Sequence, residues 1–138
     1  MTPDNHRGWG RLADAYRFLP AGKDDAIAAY QKAIELAERE YAINPTWDSV
    51  VRLGLYYVHT GQAEKAQSQL DHLFESTDSE TAYYFASIIS LRLDNRTEAL
   101  NYLRESLAGG FSKALILADP DLAELHDDDN FNALMSAQ

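Results

Sequence analysis

The chain contains an internal repeat with a period of about 33 residues, a length found in arrays of helix pairs. When the segment that starts at Trp47 is shifted by this period, Ala66 falls on Ala99 and Leu70 falls on Leu103. In such arrays each unit buries its apolar face by stacking on its neighbours. The repeat therefore predicts a stack of helix pairs rather than a domain built around one central core.

A third copy of the pattern lies upstream. Ala26 and Tyr30 match Ala66 and Leu70 at an offset that exceeds the period by seven positions. Seven residues make about two helical turns, so an insertion of this length extends a helix without rotating its apolar face. We predict a single domain over 1–138, with repeats at about 7–45, 46–78 and 79–110 and a closing segment at 111–138.

Each copy contains two stripes of apolar residues at helical spacing. In the second copy Leu53 and Tyr57 belong to one stripe, and Ala66 and Leu70 belong to the next. Gly61 lies between them, where a helix is expected to end because glycine adopts the left-handed conformation common at that place. No stretch alternates as a strand does. The pattern predicts an all-α fold with helices near 7–19, 23–43, 46–60, 62–76, 79–93 and 96–108, then shorter helices to the end.

Capping residues support these boundaries. Asn44, followed by a proline, predicts the start of the third helix. Thr77 with Glu80 forms a capping box for the fifth helix, and Asn95 with Glu98 forms a looser one for the sixth.

This combination of residues resembles the tetratricopeptide repeat family. The family pattern has a large, a small and an aromatic residue on the first helix, then a glycine, then Ala-x3-Phe/Tyr/Leu on the second helix. In the third copy Ala86, Ser87 and Ser90 depart from it on the first helix. The matching residues are Trp9, Leu12, Ala13, Tyr16, Ala26, Tyr30, Ala33 and Pro45 in the first copy, and Leu53, Gly54, Tyr57, Gly61, Ala66 and Leu70 in the second.

The resemblance implies a right-handed superhelix of antiparallel helix pairs, that is, a tetratricopeptide-like α-solenoid. The ending resembles that of bacterial arrays, which implies a bacterial-type array of about three repeats with a C-terminal capping segment. Members of the family bind proteins in a concave groove lined by the first helix of each pair. We therefore expect a protein-interaction scaffold and not an enzyme.

The family's groove positions identify the candidate partner-binding residues of this chain. Apolar groups flanked by arginines suit an extended or helical peptide with apolar anchors and an acidic group. The alternative occupants are the C-terminal tail and a second copy of the chain, which would make a homodimer. The candidates are Arg17 and Phe18 in the first repeat, Arg52, Leu55, Val58 and His59 in the second, and Tyr84, Ile88, Leu91 and Arg92 in the third.

Charge and composition exclude other classes of partner. Acidic residues outnumber Lys and Arg by 22 to 12, which gives a net charge of -10. Nucleic acids and anionic membranes attract basic proteins, so neither is expected as a partner. The chain has no cysteine, no apolar run of the ~18 residues that a membrane helix needs and no signal peptide, which favours a cytoplasmic protein.

Motifs for catalysis or cofactor binding are incomplete. The acidic run Asp127–Asp129 lacks an EF-hand's ligands, because Phe131 and Asn132 occupy its fifth and sixth positions, and we expect a solvated helix start instead. Gly8-Trp9-Gly10 lacks the preceding strand of a dinucleotide site, and the four histidines lack ligand spacing. We expect no metal, cofactor or catalytic residue. Two alternatives to a scaffold stay open: a regulatory fragment of a larger signalling protein, and a self-associating structural unit.

Overall fold

The computed structural model describes residues 5–75 and 77–137. All regular secondary structure in these residues is helical, so the all-α prediction is confirmed. The six main helices begin and end within three residues of their predicted limits. The elements are α1 His6–Arg17, α2 Lys23–Ile43, α3 Trp47–His59, α4 Ala63–Leu73, α5 Glu80–Arg92, α6 Arg96–Ala108, α7 Lys113–Ala118, a 3₁₀ helix Pro120–Asp127 and α8 Asp129–Ser136.

The chain divides into two compact units, Met1–Ser76 (unit 1) and Thr77–Gln138 (unit 2). In unit 1, α1 packs on α2 and α3 packs on α4, and α2 also packs on α3. In unit 2, α5 packs on α6, the 3₁₀ helix contacts α5, and α8 contacts α6. Both units are thus built from pairs of adjacent helices, as expected of a tetratricopeptide-like array.

The repeated alanines are buried at equivalent positions. Ala66 and Ala99 have no exposed surface, the equivalent Ala26 is 5% exposed, and Leu70 and Leu103, which follow Ala66 and Ala99 by four positions, are buried as well. Small side chains allow helices to approach closely, and the large residues one turn later fill the space beside them. Burial of the same positions in both units supports the alignment of the repeats.

The second helices differ in length. α2 has 21 residues, whereas α4 has 11 and α6 has 13. Its buried residues stay on one face from Ala26 to Ala37. The additional turns of the first copy therefore extend a continuous helix, as the sequence predicts.

The first helices of the second and third copies end in the same turn. After α3, Gly61 has a φ of 75°, and the N–H of the next residue donates to the Tyr57 carbonyl at 2.8 Å. After α5, Asp94 has a φ of 61°, and the N–H of the next residue donates to the Ser90 carbonyl at 2.9 Å. These bonds satisfy carbonyls that the helix end leaves without partners. Asp94 therefore adopts the left-handed backbone conformation that Gly61 adopts at the equivalent position.

Two of the predicted capping residues are wrong. The side chain of Thr46, not that of Asn44, accepts an N–H bond in the first turn of α3. Ser79 caps α5, where the capping box points to Thr77. Asn95 caps α6 as predicted. Both errors arise where two residues with capping side chains lie two positions apart, because the sequence pattern cannot distinguish them.

Candidate functional site

Six of the predicted partner-binding residues lie in unit 1, and all of them retain exposed surface. Phe18, directly after α1, is 58% exposed. The others are partly exposed, at the end of α1 and along α3. A partner that approached this face would meet both helices without displacing any described part of unit 1. The six residues are Arg17, Phe18, Arg52, Leu55, Val58 and His59.

A cavity of about 360 Å³, the unit 1 pocket, opens where α1 and α3 end and α2 begins. Its volume lies in the lower part of the range for ligand pockets. Among the described residues that line it there is no carboxylate, although acidic residues outnumber basic ones 22 to 12 in the whole chain. This lining is therefore cationic and apolar. The lining residues are Arg17, Leu19, Pro20, Lys23, Ala26, Ile27, Tyr30 and His59.

Tyr30 holds two of the lining side chains in place. Its hydroxyl donates to Asp14 and accepts from Arg17 Nε at 3.1 Å. Its ring stacks on His59, with 4.8 Å between the ring centroids. Burial, and then the hydrogen bond to Asp14, raise the pKa of the Tyr30 hydroxyl well above its usual value. The pocket is thus pre-organised around a buried tyrosine.

The positive charge of Arg52 on α3 is partly compensated within unit 1. Arg52 Nε lies 3.7 Å from the carboxylate of Asp48, which also forms a salt bridge with Arg7. Leu55 and Val58 continue this face of α3 with apolar side chains. This face of α3 therefore combines a partly compensated cation with apolar side chains.

The four predicted residues of unit 2 lie on α5, which the C-terminal 3₁₀ helix contacts, and of these four Arg92 keeps exposed surface. Ile88 and Leu91 are only 3% and 4% exposed. The Tyr84 hydroxyl donates to Asp119, and the Tyr84 ring stacks on Phe111 with centroids 4.4 Å apart. The C-terminal tail, one of the occupants considered from the sequence, thus lies on this face of α5.

Arg92, the fourth of these residues, binds the covering segment. It donates to the Glu124 carboxylate and, at 3.3 Å, to the Asp121 carbonyl. Leu122 and Leu125, on either side of that glutamate, are fully buried. We call residues 119–128 the acidic segment. It shows, within the chain, the type of ligand that the sequence predicts for a partner: leucines together with an acidic group.

The acidic run ends in a helix start, as expected. Asp128 accepts N–H bonds from Asn130 and Phe131 and caps α8. These backbone bonds, together with the hydrogen bond from Arg96 at 3.0 Å, lower the pKa of the Asp128 carboxyl. Among the residues that the structure describes, no group of three His, Cys, Asp or Glu side chains could hold a metal ion.

A buried polar cluster at the start of α1 was not predicted from the sequence. His6 is 1% exposed, and its Nδ1 lies 3.0 Å from the Tyr56 hydroxyl, which itself donates to the His6 carbonyl at 3.2 Å. His6 Nε2 lies 3.0 Å from Glu40 Oε2, although the direction of this contact does not suit a hydrogen bond. The spacing of His6, Gly10 and Ala13, all buried, could have placed the histidine on the inner face of α1. The cluster joins α1, α2 and α3.

Comparison with known proteins places these observations in a family. The family model described as anaphase-promoting complex, cyclosome, subunit 3 matches residues 27–106, which run from the first turn of α2 to the last turn of α6. The chain belongs to this family. It is a family that contains tetratricopeptide repeats, so the resemblance drawn from the sequence is confirmed at that level. No curated protein and no solved structure matches the chain.

Membership in the anaphase-promoting complex subunit 3 family defines the class of function. Its repeat domain is a non-catalytic interaction module, and such modules bind proteins. In the described part of the chain, none of the helices has both the length and the apolar character needed to cross a membrane.

Proposed function

We propose that this chain is a scaffold that binds a peptide or a segment of another protein on the exposed face of α1 and α3 in unit 1. The observation that carries the proposal is the exposure of large apolar side chains beside cations. Phe18 and Leu19 are 58% and 56% exposed, next to Arg17 and Lys23. Contiguous apolar surface with a polar rim is typical of interaction sites.

The residues on this face divide between affinity and orientation. Leu55 and Val58 offer apolar area, and most of the free energy of binding comes from a few such buried anchors. Charged groups at the rim act mainly on the rate and specificity of association. Because the chain has a net charge of -10, most of its surface repels an acidic partner, and the cations around Arg17 favour approach at this face.

The finer features predicted from the sequence belong to the same proposal. They are a single domain with repeats at 7–45, 46–78 and 79–110, a right-handed superhelix with one concave groove, a bacterial-type array, a capping role for 111–138 and a cytoplasmic location. The match to the family supports the repeats. Complete burial of Leu122, Leu125 and Phe131 supports the capping role, because a cap covers the apolar end of an array.

Affinity purification from the native cell, with the full chain as bait, would test the proposal. Captured proteins would be identified by mass spectrometry and then titrated in pure form against Leu55→Asp and Arg52→Glu. Lys32→Glu is the control, since it makes the same change in charge as Arg52→Glu on an α2 residue outside the pocket. Circular dichroism would verify that helicity is unchanged.

We expect Leu55→Asp to abolish binding, Arg52→Glu to weaken it and Lys32→Glu to leave it unchanged. Equal binding by all three variants would contradict the assignment of this face. Light scattering completes the design, because a dimer that Leu55→Asp dissociates would mean that a second copy of the chain, not another protein, occupies the face.

A further inference from the structure

From the charge of its lining and from the way the acidic segment is held in unit 2, we propose that the unit 1 pocket binds a short acidic segment of a partner protein in which leucines flank a glutamate. This is the chemistry that the acidic segment presents to α5 in unit 2. The inference rests on the proposed function, and it specifies which part of the face binds and which class of peptide is bound.

Unit 2 supplies an occupied example. Arg92, the last residue of α5, binds the Glu124 carboxylate, and Leu122 and Leu125 are fully buried in the 3₁₀ helix that contacts α5. A Leu-x-Glu-Leu turn is thus held by a cation at the end of a first helix and by apolar surface beside it. The cation belongs to the repeat, and the Leu-x-Glu-Leu turn belongs to the segment of the chain that follows the repeat.

Unit 1 has a pocket of related composition at the end of a first helix. His59 precedes Arg92 by one period of the repeat, and it lies at the end of α3 as Arg92 lies at the end of α5. The unit 1 pocket opens at this point, with Arg17 and Lys23 supplying positive charge. Cations and apolar surface thus lie beside the end of a first helix in unit 1, as Arg92 and buried apolar residues do in unit 2.

The pocket has the composition that such a segment requires. Leu19, 56% exposed, lies with Ile27 among its apolar lining residues, and the described lining includes no carboxylate. Asp14 Oδ1, which accepts a hydrogen bond from Tyr30, lies 3.9 Å from Arg17 Nη2, so the charges of Asp14 and Arg17 partly compensate each other and Lys23 adds further positive charge. An acidic peptide would therefore meet cations and apolar surface together, as the acidic segment does in unit 2.

A synthetic peptide with the sequence of residues 119–128, DPDLAELHDD, is the probe. It would be titrated into the full, isotopically labelled chain and followed by NMR. In the full chain α5 is already covered, so added peptide reports on unit 1. We expect saturable binding with amide shifts between residues 17 and 30 and at His59. Peptides with Glu124→Lys, or with both leucines changed to serine, should each bind at least about tenfold more weakly.

Protein variants test the location of the site. Lys23→Glu should weaken binding of the peptide at least about fivefold, whereas Lys32→Glu, the same change farther along α2, should alter it less than about twofold. Lys23 is the first residue of α2, where a carboxylate favours the helix through its dipole, so Lys23→Glu should fold normally. Ile27→Ala should weaken binding without any change in charge.

Three results would overturn the proposal: no binding at about 1 mM peptide, equal binding by Lys23→Glu and Lys32→Glu, or shifts confined to unit 2. The last would show that the peptide exchanges with the chain's own segment. A dimer of the chain that Lys23→Glu dissociates would also overturn it, because a second copy would then occupy the pocket. If Leu55→Asp still abolished partner binding in any of these cases, the partner would bind the exposed face of unit 1 but not this pocket, and the proposed function would stand. If Leu55→Asp left partner binding unchanged as well, both the proposed function and the proposed pocket would be contradicted.

Discussion

The end of a first helix has different neighbours in the two units. In unit 1, His59 stacks on Tyr30 at the edge of an open pocket. In unit 2, Arg92, one period later, binds Glu124, and the apolar residues of α5 are covered. The same position of a repeat is thus an open surface in one unit and a packing surface in the other.

The first helices of the first and third copies, α1 and α5, differ in how many of their sides are buried. α5 has seven buried residues, among them the consecutive Ile88 and Ile89, which point to different sides of the helix. A helix that is apolar on several sides must be packed on several sides. α1, by contrast, has only three buried residues and carries polar residues such as Asp14 and Arg17 on its other sides. α1 can therefore leave one side in solvent.

Removing a leucine that covers α5 should have the largest effect. Leu125 is fully buried, and a Leu→Ala change at such a site costs about 2–5 kcal/mol of stability. Leu117, 46% exposed in the same C-terminal region, is the control, and Leu117→Ala should cost less than about 1 kcal/mol. Urea denaturation would measure both, with amide hydrogen exchange in α5 as the local probe. If the two variants lost the same stability, the covering of α5 would not be a source of stability.

Overpacking the repeated alanine should affect both units in the same way. Ala66 and Ala99 are fully buried, so replacing either one by leucine should cost about 1–3 kcal/mol. Ala63, exposed at the start of α4, is the control, and Ala63→Leu should leave the melting temperature nearly unchanged. Thermal melting of the three variants is the measurement. A normal melting temperature for Ala66→Leu would show that the alignment of the repeats is wrong.

The pH dependence of stability should involve His6, which is buried in unit 1. Burial lowers the pKa of His6, and Arg7 and Arg52 act in the same direction, while Glu40 and Asp48 raise it by less. The unfolded chain then binds a proton more readily than the folded one. The contribution of neutral His6 to the free energy of unfolding is therefore fully present above about pH 6.5. It decreases as the pH falls from there towards the lower pKa of His6 in the folded chain.

Denaturation of the wild type and of His6→Gln at about pH 7.5 and about pH 5.5 would check this expectation. The wild type should lose more stability than the variant between the two conditions. Hydrogen exchange should locate the loss in α1 and α3, which the histidine joins through Tyr56. An identical loss in both proteins would exclude His6 as its source.

The turn after the first helix should give the smallest effect. Asp94 has a positive φ that glycine adopts without strain, so Asp94→Gly should raise the stability by about 0.5 kcal/mol. Gly61→Asp should lower it by a similar amount, since a Cβ at Gly61 would meet no described atom within 4 Å and only the backbone preference changes. Chemical denaturation would measure the two opposite changes. Changes of the same sign would show that the two turns are not equivalent.

The positions of the helices could be predicted because local pattern determines them. The spacing of residues such as Leu53 and Tyr57 depends on the helical period alone, and the glycine turn at Gly61 is a local signal. The pattern does not determine which residue caps a helix when two capping side chains lie two positions apart, as Asn44 and Thr46 do before α3. The full length of α2 was predicted because its extra turns preserve the apolar face.

The surroundings of the candidate residues could be predicted only in part. Their exposure in unit 1 depends on nearby helices, whose pattern is visible in the sequence. Ile88 and Leu91 are buried on a helix that the 3₁₀ helix contacts from beyond α6 and α7, and no local pattern reveals such a contact. The buried state of His6 depends similarly on Glu40 and Tyr56, which lie far from it in sequence.

The acidic segment is covalently tethered to the helix pair that it covers, and the tether has a thermodynamic consequence. A ligand on a short flexible linker acts at an effective concentration of the order of millimolar. A free peptide at micromolar concentration would have to bind about a thousandfold more tightly to replace it on α5. The acidic segment thus competes with any free peptide for the surface of α5. A free acidic peptide whose intrinsic affinity for α5 only equals that of the acidic segment is thereby excluded from α5.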